Sequence, residues 1–354
     1  MDELYYDAID MLKGMIAIPS ISREETDVTN YINAQLISFG LNPSRQGNNV
    51  WCIAPDFSSD KPTLLLNSHI DTVKPAKGWT YDPFTPIENE QCIYGLGSND
   101  AGASVVSLTA AFRHLANISR TYNLILLLSC EEEVSGRNGI EAVLPLLPKI
   151  NVAIVGEPTG MHPAIAEKGL MVLDGMITGV AGHAARNEGI NAIYRTMEVI
   201  DTLRNLTFEK ESDALGPVKI TVSQIEAGTQ HNVVPDVCKI VVDVRTTDAY
   251  NNEETLKLIH KAVPQDWCTL TPRSTRLNPS GISIEHPIVK RLTTLGRTPF
   301  GSPTLSDQAL MPFPSLKLGP GDSARSHTAD EYIQTEEIRT AIQLYITLLT
   351  GIQL

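Results

Sequence analysis

Apolar positions recur at helical spacing at the start of the chain, where Leu4, Ala8, Ile9, Leu12 and Met15 share one face and Pro19 ends the pattern. Ser22 followed by Glu25, with apolar positions continuing through Ile32 and Leu36, predicts a capped second helix. The texture then changes to short apolar runs, at residues 49–53, 63–66, 123–129 and 152–155, each bounded by polar clusters as buried strands are. Residues 103–116, rich in Ala, Val and Leu and preceded by Gly102, read as a buried helix. Strand, helix and strand in this order predict an α/β sheet.

From about residue 170 the rhythm restarts, with strands predicted at 171–177, 218–225 and 238–245 and helices at 191–206 and 253–263. This is a unit of roughly 100 residues, within the usual size range of a domain, with its own alternating pattern. A loop-like cluster, Asn278-Pro279-Ser280-Gly281, precedes helices predicted at 287–294 and 335–349. The expected organisation is a first domain made of residues 1–169 and 278–354, with residues 170–277 inserted as an α+β second domain. A chain of 354 residues is long enough to need both, and 42% hydrophobic content suffices for two cores.

Charge narrows the partners. A formal net charge of −13, with no Lys/Arg cluster, argues against a nucleic-acid or anionic-membrane surface and leaves small molecules or other protein chains. Cys52, Cys92, Cys130, Cys238 and Cys268 are odd in number and never spaced as C-x-x-C, so neither a disulfide framework nor a thiolate zinc site is expected, and a reducing cytoplasm is the simplest setting. The acidic opening Met-Asp-Glu-Leu-Tyr-Tyr-Asp does not read as a signal peptide, and no stretch approaches 18 uninterrupted apolar residues.

The candidate chemistry collects at the ends of the predicted strands. Glu131, Glu132 and Glu133 follow the apolar run 123–130, where three crowded carboxylates repel one another unless a cation sits among them. The run ending at Leu66 leads into His69-Ile70-Asp71, and residues two apart in extended chain point the same way, so Asp71 is expected to accept the second ring N–H of His69. The stretch Tyr94-Gly95-Leu96-Gly97-Ser98-Asn99-Asp100 puts an aspartate where a dinucleotide-binding loop would need its third glycine, which argues against such a loop. Glu157 ends another apolar run, and His327 stands in a polar turn after Gly319-Pro320-Gly321. Two histidines with several strand-end carboxylates suit a pair of divalent ions, and imidazole favours zinc.

Five segments in order, 67–72 (NSHIDT), 94–100 (YGLGSND), 129–133 (SCEEE), 156–159 (GEPT) and 327–332 (HTADEY), resemble the motifs of a dinuclear-zinc amidohydrolase and peptidase family. That family includes acetylornithine deacetylase, succinyl-diaminopimelate desuccinylase and the glutamate carboxypeptidases, and the chain looks most like the first. The resemblance implies a zinc-peptidase-like catalytic domain with a mixed central sheet and flanking helices, plus an inserted dimerisation or lid domain. It implies two divalent ions per chain, zinc first and cobalt or manganese as substitutes, held by His69, Asp100 and Glu157 and by Asp100, Glu133 and His327, with Asp100 bridging. Asp71 beside His69 and Glu132 as general base complete the catalytic set. The run of three leaves a second register open, with Glu131 and Glu132 as base and ligand; the family pattern of an acid before the functional pair assigns Glu131 to the earlier place, solvated or behind the ligands.

Residues 179–186 (GVAGHAAR) resemble the family's second-domain motif, which implies that His183 reaches the partner subunit's active site in a homodimer and helps stabilise an oxyanion. Asn232 and Arg245 look like the family's substrate-binding pair, the guanidinium taking a ligand carboxylate; a surface ion pair is the alternative for Arg245. Arg325, Ser306 and Asp307 are pocket candidates. Where many relatives follow the bridging aspartate with a lysine-glycine pair, this chain has Ala101-Gly102. The implied activity is hydrolysis of the amide of an N-acyl amino acid, first N-acetylornithine in arginine biosynthesis. A desuccinylase of ornithine, citrulline or diaminopimelate derivatives, a dipeptidase or carboxypeptidase, and a catalytically silent binding protein of the same fold are the alternatives.

Overall fold

A computed structural model of the chain describes residues 1–89 and 91–354. The chain divides into two compact units, one made of Met1–Ile165, Gly281–Phe300 and Ser306–Leu354, the other of Ala166–Ser280 and Gly301–Leu305.

The first unit is built on a mixed sheet. Strands Asn123–Ser129, Thr63–His69, Val152–Val155 and Ser315–Lys317 lie side by side in parallel. Asn49–Ile53 pairs antiparallel with the Asn123–Ser129 edge, Ser44–Gln46 continues beyond it, and Ala164 pairs antiparallel with Lys317 on the other side. The two central strands, Thr63–His69 and Asn123–Ser129, are buried at every position. They are covered on both faces, which is why their sequences run continuously apolar instead of alternating. The alternation survives in where each side chain goes. Leu64, Leu66, Leu124, Leu126 and Leu128 enter one core with the helices Asp2–Ile16, Thr26–Ser38, Ala103–Ala116 and Thr335–Leu349, whereas Leu65, Ile125 and Leu127 enter another with Ile140, Val143 and Met311.

The predicted helix at 103–116 is present with those bounds, as are 287–294 and 335–349. The second helix starts at Thr26 and has no side-chain cap; the hydroxyl of Ser22 donates instead to Asp71 Oδ2 at 2.7 Å, and Glu25 accepts from the backbone of Arg23 and Glu131. The capping-box pattern of Ser22 and Glu25 thus serves a tertiary purpose. A small sheet of Ile87–Asn89, Cys92–Tyr94 and Tyr332–Gln334 has no counterpart in the reading of the sequence.

In the second unit, Lys219–Ala227, Val237–Thr246, Gly169–Thr178 and Cys268–Pro272 form a four-stranded antiparallel sheet in that order. Leu173, Ile177, Val242 and Val244 pack beneath the helices Ala192–Asn205 and Asn252–Ala262 together with Val199, Leu203 and Ile259. Asn191 and Asn251 cap these helices, the latter in a capping box with Glu254. Among the described residues no helix is long and apolar enough to cross a membrane.

Candidate metal centre

Open α/β sheets keep their sites beyond the carboxyl ends of their strands, and that is where the donors gather. His69 is the last residue of its strand; Glu132 and Glu133 follow Asn123–Ser129, and Glu157 follows Val152–Val155. Asp100 arrives from the glycine-rich turn before helix Ala103–Ala116. In that turn Gly97 has φ +75, and a Cβ on Gly102 would meet the carbonyl oxygen of Gly97 at 2.4 Å, so neither position accommodates a side chain.

Asp100 sits between the two histidines. His69 Nε2 lies 3.2 Å from Asp100 Oδ1 and 4.0 Å from Glu157 Oε1. His327 Nε2 lies 3.6 Å from Asp100 Oδ2 and 3.1 Å from Glu133. Among the described residues three triads have ligand atoms within 4.8 Å of one another: His69, Asp100 and Glu157; His69, Glu132 and Glu133; and Asp100, Glu133 and His327.

The supporting contacts differ from the expected ones in two places. His69 Nδ1 faces the backbone carbonyl of Asp71 at 2.9 Å, and the carboxylate is farther, at 3.6 Å. That carboxylate is taken by the backbone N–H groups of Glu132 at 3.0 Å and Glu133 at 3.2 Å and by Ser22, so Asp71 braces the histidine and the glutamate pair together. Glu131 is buried in a turn, not solvated: its φ is +57, and its carboxylate accepts from Asn138 Nδ2 at 2.9 Å.

Reasoning from the sequence assigned no role to Glu331. Its buried carboxylate accepts backbone N–H groups of Gly97, Asn99 and Asp100; the acid in the motif after His327 was the available signal. Asp307 is buried as well and accepts the hydroxyl of Ser129 at 2.6 Å, while Ser306 caps the short helical turn Asp307–Leu310. Arg325 is engaged by Glu337 at 2.7 Å and lies over the ring of Tyr332.

The electrostatics follow from crowding. Burial and the charges of Glu157, Asp307 and Glu133 push Glu132 well above the usual carboxylate range, with His69 opposing. Glu157 rises to about 8, again chiefly through burial, and Asp307 to about 7 for the same reason. His69 is raised well above its ordinary value although burial lowers it, because the hydrogen bond to Asp100 and the charges of Glu132, Glu157 and Asp71 prevail. His327 rises to about 9, mainly through its hydrogen bond to Glu133. Protons are thus drawn to a cluster that has too little positive charge of its own. Carboxylate oxygens and imidazole nitrogens in two triads sharing one aspartate are a donor set that fits a pair of divalent cations.

His183, Asn232 and Arg245 belong to the second unit, and the donor triads belong wholly to the first. His183 is exposed and pairs through its backbone with Val233, next to the exposed Asn232. Arg245 forms a two-pronged ion pair with Asp243, at 2.9 and 3.2 Å, the alternative raised for it from sequence.

Residues 65–351 match the model of peptidase family M20/M25/M40. The chain is 29% identical to the acetylornithine deacetylase of Pectobacterium carotovorum subsp. carotovorum, covering 95% of each chain. It is 28% identical to the succinyl-diaminopimelate desuccinylase of Nautilia profundicola, covering 72% of each. In structure it is similar to a dinuclear metal-binding peptidase of the M20 family from Bacillus subtilis, with a TM-score of 0.73, 15% identity, and 99% of this chain and 98% of that one covered. The match over most of the chain settles its kinship: it belongs to peptidase family M20/M25/M40 and is a metal-dependent hydrolase.

Proposed function

We propose that the protein hydrolyses the amide bond of an N-acyl amino acid, with N-acetylornithine, an arginine precursor, as its substrate and two zinc ions as its metals. The observation that carries this reading is the placement of Asp100 between His69 and His327, with Glu133 and Glu157 as the outer carboxylates and Glu132 among them. His69, Asp100 and Glu157 would hold one ion and Asp100, Glu133 and His327 the other. Bound there, the ions supply the positive charge that acidifies a water molecule and polarises an amide carbonyl.

The rest of the chemistry falls to the chain. Glu132 takes the proton of the attacking water and passes it to the leaving amine nitrogen. Asp71 holds the backbone of Glu132 and Glu133, which aims one side chain at the reacting centre and the other at His327. His183, supplied by the second unit of a partner copy in a homodimer, donates to the oxyanion as it develops. Asn232 and Arg245 bind the substrate, the latter exchanging Asp243 for its carboxylate. The reading places the protein in the cytoplasm.

The relatives support an acylamino-acid substrate, and their two names divide over the acyl group. Amine release from the N-acetyl and N-succinyl forms of ornithine, citrulline and diaminopimelate, with dipeptides alongside, tests the assignment. The highest kcat/KM is expected with N-acetylornithine. Preference for a succinyl form would move the protein to the desuccinylases, and turnover of dipeptides alone would remove the deacylase reading.

A further inference from the structure

Asp100 and His327, which face each other across the second ion position, come from segments far apart in sequence, and Glu331 joins those segments. It follows His327 by four residues, and it accepts N–H groups on the Asp100 turn at 3.2 Å from Gly97, 2.8 Å from Asn99 and 2.9 Å from Asp100. The backbone carbonyl of Glu331 accepts the N–H of Gly95 at 3.0 Å, and Tyr332–Gln334 pairs directly with Cys92–Tyr94. Asn99 adds to the seam, since its side chain bonds to the backbone of Asp322 and to the hydroxyl of Ser326.

The two ion positions are built differently. His69 is buried, ends a central strand, and has Nδ1 faced by the Asp71 carbonyl; Glu157 follows the next strand of the same sheet. His327 is 53% exposed at its side chain and stands at φ +60 in a turn. His327 stands outside the central sheet, and the seam that includes Glu331 is what joins its segment to the Asp100 turn. Glu331 also sets a carboxylate beside Asp100, an arrangement that adds repulsion unless cations are held nearby.

We propose that Glu331 is a positioning residue for the second metal position. It locks the bridging carboxylate of Asp100 against His327, so that its loss weakens binding at the position of Asp100, Glu133 and His327 while that of His69, Asp100 and Glu157 survives. The inference rests on the two-ion reading above.

The test uses the full-length protein, Glu331→Ala and Glu331→Gln, each stripped by chelator and titrated with Co²⁺ followed by visible absorption, with ion content measured by elemental analysis. In Glu331→Ala the second binding step should weaken by about 10–100-fold, the range for residues that orient metal ligands, while the first step holds. Glu331→Gln keeps one acceptor oxygen and the side-chain shape, and should lie between. A merely structural role would weaken both steps in parallel. Parallel weakening, or two unchanged steps, overturns the inference. If the alanine variant does not fold, the ratio of the two steps in Glu331→Gln decides by the same criterion. If the parent protein takes up fewer than two ions, the two-ion reading fails and takes this inference with it.

Discussion

The carboxylate of Asp71 accepts the backbone N–H of Glu132 at 3.0 Å, tying the end of one central strand to the turn after its neighbour. Because the other oxygen takes Glu133 and Ser22, Asp71 governs the aim of the glutamate pair as well as of His69. Replacement by asparagine leaves one oxygen to accept where the carboxylate has two, and sets an amide NH₂ against a backbone donor. Asp71→Asn is expected to lower kcat by about 10–100-fold, with KM changing little; an unchanged kcat on N-acetylornithine would show that Asp71 does not set this geometry.

If Glu132 is the proton carrier, Glu132→Gln removes that function while keeping volume and hydrogen-bonding shape. The variant should keep two ions per chain by elemental analysis and lose about 10²–10⁴-fold in kcat, the usual contribution of a positioned acid or base. Loss of an ion together with activity would instead make Glu132 a ligand and reopen the register of the run.

Metal removal should give the fold a pH dependence that the loaded protein lacks. Without cations the carboxyl of Glu157 is raised from 4.5 to about 8 and His327 from 6.5 to about 9. Each raised group stabilises the fold below its unfolded value, and that contribution is lost as pH rises through its folded value. The melting temperature in chelator should therefore fall as pH rises from about 4.5 to about 9, whereas ions in the site hold the carboxylates charged and the imidazoles neutral and flatten the curve. Thermal melts with chelator and with zinc across that range check this; parallel curves would contradict it.

If His183 serves the partner's active site, two inactive variants should rescue each other. Mixing Glu132→Gln with His183→Ala and allowing exchange builds mixed dimers in which one site is whole, and random pairing predicts about a quarter of parental activity. No recovery, with exchange shown by a tag, would place His183 in its own subunit's site or outside catalysis.

Elements whose burial is uniform were the legible ones. The runs that became Thr63–His69 and Asn123–Ser129 announce themselves because both faces are covered, and helix Ala103–Ala116 because most of its positions are buried. Cys268–Pro272 escaped notice, being a short edge strand with alternating burial that ends in proline. Ser22 and Glu25 carry the letters of a helix cap, yet their side chains serve Asp71 and the backbone of Glu131. Strand-end acids and histidines were visible as candidate donors because charge in such places is costly. The bonds that brace them were not, since Asp71 and Glu331 act on backbone N–H groups, which every residue but proline carries and which leave no mark in a sequence. Arg245 shows the reverse case, where a residue type suited to a carboxylate ligand meets Asp243 in its own strand.

The place of Ser315–Lys317 inside the sheet bears on how the chain is made. It fills the gap between Val152–Val155 and Ala164, so the sheet has a hole until the ribosome has passed residue 317. Until then Val152–Val155 is a fully buried strand of the finished fold with one edge open, the kind of edge that recruits stray strands. His327 and Glu331 follow still later, so a nascent chain cannot assemble the centre early, and a chain cut before residue 315 would lose the closure of the sheet together with the chemistry.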